Sequence, residues 1–209
     1  MILDKYSSII NECFSQIRKQ TKKPLLIGIT GDSGSGKSYY SKLLQEKFTS
    51  ENIPFVYLNA DDFLIARKDR EPMKTIFYTD GEFKGKSHWE ILENMFRLDE
   101  LRRVLIDLKN DKVVTYLPYQ RETGGIDTKP KTLHPQNYIL CDTSMLLELM
   151  DFVILVDVTQ ENIIKRKLIR DADVRTPEQI IDMHKRVQGY YWERSRPKKA
   201  DIVIDNNDF

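Results

Sequence analysis

The string Gly31-Asp32-Ser33-Gly34-Ser35-Gly36-Lys37-Ser38 constrains this chain more than any other segment. It satisfies G-x-x-x-x-G-K-[ST] at every fixed position. An apolar run, Leu25 to Thr30, precedes it, and Tyr39, Tyr40, Leu43, Leu44 and Phe48 follow at helical spacing. The pattern is therefore strand, loop, helix. Glycines let the backbone curl so that successive N–H groups face one anion, and a helix N-terminus adds its unpaired donors and positive dipole end. Lys37 supplies a point charge for β- and γ-phosphates, and Ser38 a hydroxyl oxygen for Mg²⁺. The string predicts a P-loop for ATP or a similar nucleotide, formed by Gly31 to Ser38 with Tyr39 beside it. The plainer reading is a glycine-rich turn that binds nothing.

The rest of the chain alternates apolar runs with helical patterns. Phe55 to Leu58, Tyr138 to Asp142, Phe152 to Asp157 and Ala200 to Asp205 read as further strands. Helical spacing covers an N-terminal segment of about residues 1–22, then about 88–109, 161–170 and 177–194. Residues 63–87 read as a long mobile loop, and 112–134 as a small hairpin outside the main sheet. This order implies an α/β chain with the P-loop NTPase fold: a mostly parallel five-stranded sheet, helices on both faces, and a hairpin insertion. One domain over 1–209 accommodates all of it. Substrates should gather at the carboxyl ends of the strands.

Composition narrows the partners. Apolar residues are 40%, charged residues 31% and the formal net charge is +1, which suits a globular chain and gives no sign of nucleic acid or a membrane surface. Cys13 and Cys141 lack a Cys-x-x-Cys spacing and read as reduced thiols. No apolar window is long enough to span a bilayer, and the N-terminus does not resemble a signal peptide, so a cytoplasmic location is expected.

Asp61 and Asp62 follow the second strand, at the same sheet edge as the P-loop. A carboxylate there can accept a proton from an attacking hydroxyl or hold Mg²⁺ through water. Asp61 is the first candidate for the base and Asp62 the second; the alternative for both is a turn or N-cap carboxylate. Farther on, Lys165, Arg166, Lys167, Arg170 and Arg175 surround Asp171 and Asp173. Arg166 and Arg170 lie four apart on one helix face, where guanidinium groups suit charge developing on a γ-phosphoryl group. The bland alternative is a solvated helix paired with its own aspartates.

These motifs, with Tyr119-Gln120-Arg121 and Arg196-Pro197-Lys198-Lys199-Ala200-Asp201, fall in one order that resembles the uridine kinase and phosphoribulokinase family over about residues 22–206. The resemblance implies Asp61 as the base, with Lys37, Arg166 and Arg170 stabilising the transferred phosphoryl group. It implies a lid over about 162–178 that includes Arg175, and an acceptor site with Asp61, Glu90, Tyr119, Arg170 and Arg175. Metal ligands would come from Ser38, Asp62 and Asp142. Two features depart from the family. Its Glu-Gly at the end of the third core strand is Cys141-Asp142 here, so either Asp142 or Cys141 takes the glutamate's place. The histidine expected after Tyr119 is replaced within Glu122 to Gly125, which argues against uridine. His88, His134 and His184 read as surface or packing residues. The implied activity is Mg²⁺- and ATP-dependent phosphorylation of a hydroxyl on a nucleoside, sugar or sugar phosphate, by a monomer or homodimer. The alternatives are an acceptor-independent hydrolase and a degenerate nucleotide-binding protein.

Overall fold

The computed structural model describes residues 2–208, with side chains from Tyr6 onward. Helix α1 (Ile2–Arg18) leads into β1 (Leu25–Thr30), the P-loop and α2 (Lys37–Ser50). Strand β2 (Val56–Asn59) ends in a 3₁₀ turn over Ala60–Phe63. A short helix α3 (Arg67–Arg70), more 3₁₀ turns and α4 (Leu98–Lys109) follow. A ribbon of four short strands comes next: β3 (Val114–Tyr116), β4 (Tyr119–Gln120), β5 (Gly125–Ile126) and β6 (Lys131–Leu133). Strands β7 (Tyr138–Asp142) and β8 (Phe152–Asp157), helices α5 (Gln160–Arg170), α6 (Pro177–Met183) and α7 (Gly189–Ser195), and β9 (Ile202–Asp205) complete the chain.

The five-stranded sheet has the order β2-β7-β1-β8-β9, and every pairing is parallel. All residues of β1 and β7 are buried, as continuous apolar runs at the centre of a parallel sheet require. Alternation along β1 feeds two cores. Leu25, Ile27 and Ile29 join α1 and α2 through Ile10, Cys13, Ile17, Leu44 and Phe48. Leu26 faces the other way and joins Phe63, Leu101, Leu105, Leu108, Tyr116 and Cys141. The two cysteines therefore lie on opposite faces of the sheet, both buried and both free. Helix α1 buries Ile10, Cys13 and Ile17 against its own sheet, a contribution of about 1.5–3 kcal/mol for a large aliphatic side chain.

Parallel pairing puts the ends of β1, β2, β7 and β8 on one edge, so the P-loop, the Ala60–Phe63 turn and Asp142 converge there. Among the described residues no helix is long and apolar enough to cross a membrane.

Three local expectations need correction. The helix expected over 88–109 begins only at Leu98; His88–Glu90 and Leu92–Met95 are separate 3₁₀ turns. Phe96 is extended because it bridges Leu64, and the Arg97 N–H donates to the Phe63 carbonyl at 2.7 Å, so tertiary pairing outweighs helical spacing. The 63–87 segment is folded: Phe63 is fully buried, α3 follows it, and Phe77 bridges Ser87. The final helical stretch is continuous but widens into a π turn over His184–Gln188. The insertion is an antiparallel ribbon with two ladders, β3 with β6 and β4 with β5.

Candidate active site

The P-loop owes its shape to steric demands that glycine alone meets. At Gly36, φ is +96°, a left-handed conformation costly for other residues, and Lys37 opens α2 immediately after it. At Gly31 a Cβ would lie 2.6 Å from the Val156 carbonyl oxygen. The loop closes with the Ser35 N–H donating to the Asp32 carbonyl at 3.0 Å. It opens onto a cleft of about 660 Å³, within the range of small-molecule sites. Asp32, Ser33, Gly34, Gly36, Lys37, Ser38 and Tyr39 line this cleft from one side. Gly31 and Ser35 lie beneath, buried. Lys37 and the start of α2 thus present a positive, donor-rich surface that suits an anion.

Asp61 and Asp142 line the same cleft as the loop. The N–H of Asp61 donates to the Asn59 side chain at 2.9 Å, which pins the turn at the end of β2. Its carboxylate takes a hydrogen bond and ion pair from the Arg121 guanidinium, which reaches over from the ribbon. Asp142 is buried beside Lys37 and Ser38, whereas Cys141 points into the core beneath α4. Period-two alternation separates them, so of the two it is Asp142 that faces the loop. Burial pushes its carboxyl above the ordinary carboxylate range, against the pull of Lys37 and a hydrogen bond with Ser38.

These residues fit a Mg²⁺ ion. Asp142 Oδ2 is buried with no hydrogen-bond partner among the described residues, an acceptor that a cation would satisfy. No cluster of three His, Cys, Asp or Glu residues suits a metal among the described residues. Mg²⁺ needs none, since it keeps several waters and takes one or two protein ligands plus phosphate oxygens.

Besides Gly31 and Ser35, four expected site residues lie outside the cleft lining. Asp62, next to Asp61, turns the other way and accepts from Tyr116 Oη at 2.8 Å and Lys131 Nζ at 3.0 Å. It anchors the ribbon. Glu90 is buried and closes a capping box, accepting from Ser87 N–H at 2.8 Å and Oγ at 3.1 Å and from Arg186 at 3.1 Å. Burial opposes its charge, but the Arg186 and Ser87 hydrogen bonds hold its carboxyl below the usual range. In the structure Glu90 is a buried capping carboxylate at the start of a 3₁₀ turn. Ser87→Ala is expected to cost about 1 kcal/mol in urea unfolding, with unchanged nucleotide affinity in a titration. Tyr119 accepts at its hydroxyl from Arg70 at 2.8 Å and supports that guanidinium from behind. Arg166 does not share the cleft with Arg170; it donates to the carbonyls of Ser35 at 3.2 Å and Asn206, holding the back of the P-loop to the end of β9.

Arg170 and Arg175 do line the cleft. Both rest on Asp171: Arg170 as a two-pronged fork at 2.7 and 2.9 Å, Arg175 at 3.6 Å. Pairing with Asp171 and exposure of both arginines to the cleft therefore coexist in one arrangement.

A family model, Phosphoribulokinase / Uridine kinase family, matches residues 26–207. The chain belongs to this family. It is a phosphotransferase of the P-loop kinase type, with a hydroxyl acceptor. Among curated relatives, "Uridine kinase" of Clostridium botulinum (strain Kyoto / Type A2) is 29% identical over 191 residues, 88% of either chain. "Uridine kinase" of Leuconostoc citreum (strain KM20) is 29% identical over 193 residues, 87% of either chain. A solved structure described as "a Possible Uridine Kinase from Bacillus stearothermophilus" has a TM-score of 0.66 at 20% identity, covering 98% of this chain and all of that one. D-glycerate 3-kinase from Cryptococcus neoformans has a TM-score of 0.63 at 12% identity, over 99% of this chain and 93% of that one. At such identities the structural likeness speaks to the fold.

The kinase also holds a buried polar group that sequence reading missed. Lys167 is 1% exposed and lies 3.8 Å from Asp32 of the P-loop. Its Nζ is 2.6 Å from His184 Nδ1 in the π turn, and His184 Nε2 is 2.6 Å from Gln160 Oε1. Gln160 Nε2 donates to Asp32 at 3.2 Å and closes the ring. With the Gln160 oxygen facing His184, the imidazole carries its proton on Nε2 and accepts from the lysine ammonium on Nδ1. Burial lowers Lys167 to about 8, with Asp32 acting in the opposite direction. Burial and the lysine also lower His184, which keeps it neutral. Of the surface and packing readings, His184 takes the packing one. One signal was available: Ile163 and Lys167 are four apart, on the buried face of α5.

Proposed function

We propose that this kinase uses MgATP to phosphorylate a hydroxyl of a small molecule of the nucleoside, sugar or sugar-phosphate kind. The observation that carries the reading is the shared cleft, lined by Lys37 and the P-loop together with Asp61. Lys37 holds the β- and γ-phosphates and balances the charge of the transferred group. Ser38 and Asp142 would hold Mg²⁺, which would neutralise phosphate charge there. Asp61 accepts the acceptor's hydroxyl proton, and Arg170 and Arg175 stabilise the phosphoryl oxygens as the segment of about 162–178 acts as a lid. Arg166 contributes by bracing the loop. The whole chain acts as one domain.

The curated relatives are uridine kinases. Here Tyr119 is engaged by Arg70, and the histidine expected after it is absent, so the reading favours an acceptor other than uridine. ATP consumption measured with and without a panel of nucleosides, sugars and sugar phosphates tests the proposal. Turnover that depends on one acceptor supports it. Acceptor-independent turnover would mark a hydrolase, and binding without turnover a degenerate nucleotide-binding protein; either result overturns it.

A further inference from the structure

Two arginines on the acceptor wall of the cleft, Arg70 and Arg121, are not accounted for by nucleotide chemistry. Arg70 rises from α3 and lies with its guanidinium 5.2 Å from the centre of the Tyr119 ring. It donates to the Tyr119 hydroxyl, and its Nε–H is buried with no acceptor among the described residues. It has no carboxylate partner among them either. A buried donor on a full positive charge without an acceptor is costly, and such a group is normally completed by an anion. Arg121, from the same ribbon, has a carboxylate partner, but that partner is Asp61. While the pair persists, a carboxylate oxygen of Asp61 is occupied by the Arg121 guanidinium, so it is poorly placed to receive a hydroxyl proton. Leu64, Leu92, Met95 and Phe96 also line the cleft and offer no charge.

We propose that the acceptor carries an anionic group, a phosphate or a carboxylate, that docks on Arg70 and Arg121. This inference rests on the kinase reading above. Docking completes the open hydrogen bonding of Arg70 and draws Arg121 off Asp61. The base is released only when an acceptor of the correct charge is present. The acceptor oxygen then bonds to the γ-phosphorus as the bond to the β,γ-bridging oxygen breaks. ADP leaves, and the hydroxyl proton passes to Asp61. The resting Arg121–Asp61 pair thereby also protects ATP from water in the absence of acceptor.

Calorimetric titration tests the proposal independently of turnover. The full chain is saturated with a non-hydrolysable ATP analogue and Mg²⁺, then titrated with matched pairs: ribose and ribose 5-phosphate, glycerol and glycerate, uridine and uridine 5′-monophosphate. The charged member of at least one pair should bind about 100-fold more tightly than its neutral partner, as two charge-assisted contacts allow. The phosphate and carboxylate pairs distinguish the two sources of charge. Arg70→Met and Arg121→Met should each remove at least about ten-fold of that preference. Equal binding within every pair, or a preference that survives both substitutions, overturns the proposal. So does loss of affinity for the ATP analogue in both variants, which would assign the arginines to the nucleotide. Failure here leaves acceptor-dependent ATP consumption untouched, so it is distinguishable from failure of the kinase reading.

Discussion

Asp61→Asn is expected to lower acceptor-dependent phosphoryl transfer by about 10²–10⁴-fold, the usual contribution of a positioned general base. The amide keeps the size of the carboxylate, and the turn is held by the backbone N–H of residue 61 donating to Asn59, so the turn should persist. What it loses is the ability to take a proton. ATP affinity should stay close to that of the unaltered kinase, because the substitution leaves Gly31 to Ser38, Lys37 included, untouched. Steady-state ATP consumption with a working acceptor, paired with nucleotide titration, separates the two effects. Full activity in Asp61→Asn would remove Asp61 from the mechanism. The neighbouring Asp62→Asn is an informative contrast. It weakens the contacts to Tyr116 and Lys131, so it should lower the urea midpoint while largely sparing transfer.

Lys167→Met should have the largest effect on stability. The substitution nearly preserves volume and removes the charge together with the hydrogen bond to His184. Asp32 then remains 3% exposed without its cation, and breaking a buried pair from one side costs about 3–5 kcal/mol. The damage falls on the second residue of the P-loop, so ATP affinity should fall together with the urea midpoint. Adding Asp32→Asn removes the stranded charge and should recover much of the stability; absence of recovery would refute the pairing. The pH dependence has a definite sign. The folded-state pKa of Lys167, about 8, lies below its ordinary 10.5, so between these values the unfolded chain binds more protons. Burying the ammonium therefore costs stability at neutral pH, and that cost is relieved as pH rises from about 8 towards 10.5. Asp32 pulls the other way, and Arg170 and Lys37 add to the lowering. Across this window, urea midpoints of the unaltered kinase should fall less with pH than those of Lys167→Met.

The legible parts of the site were those written in consecutive residues. Gly31 to Ser38 encodes its own loop because positive φ and close backbone approach demand glycine locally. Asp61 was legible for a similar reason: it follows directly on a strand whose end must face the P-loop. Asp62 was not, because neighbouring turn residues point in different directions, and the direction was settled by Tyr116 and Lys131, far along the chain. Glu90 illustrates the same limit. Its local pattern suits a capping box and an acceptor ligand equally, and Arg186 on the π turn draws it inward. Arg121 was visible only as part of a motif; its contact with Asp61 spans sixty residues.

The sequence by itself determined the parallel α/β fold, the phosphate-binding loop and membership of this kinase family. Strand burial, helical period and glycine sterics are short-range effects that operate wherever those residues occur. Tertiary structure alone decided which acids face the cleft, that Asp142 and not Cys141 faces Lys37, and that Arg166 braces the loop while Arg170 lines the site. It also joined Asp32, Gln160, Lys167 and His184 into one buried ring. Those outcomes depend on the direction of individual side chains and on partners distant in sequence, and only the packed sheet with its flanking helices sets both.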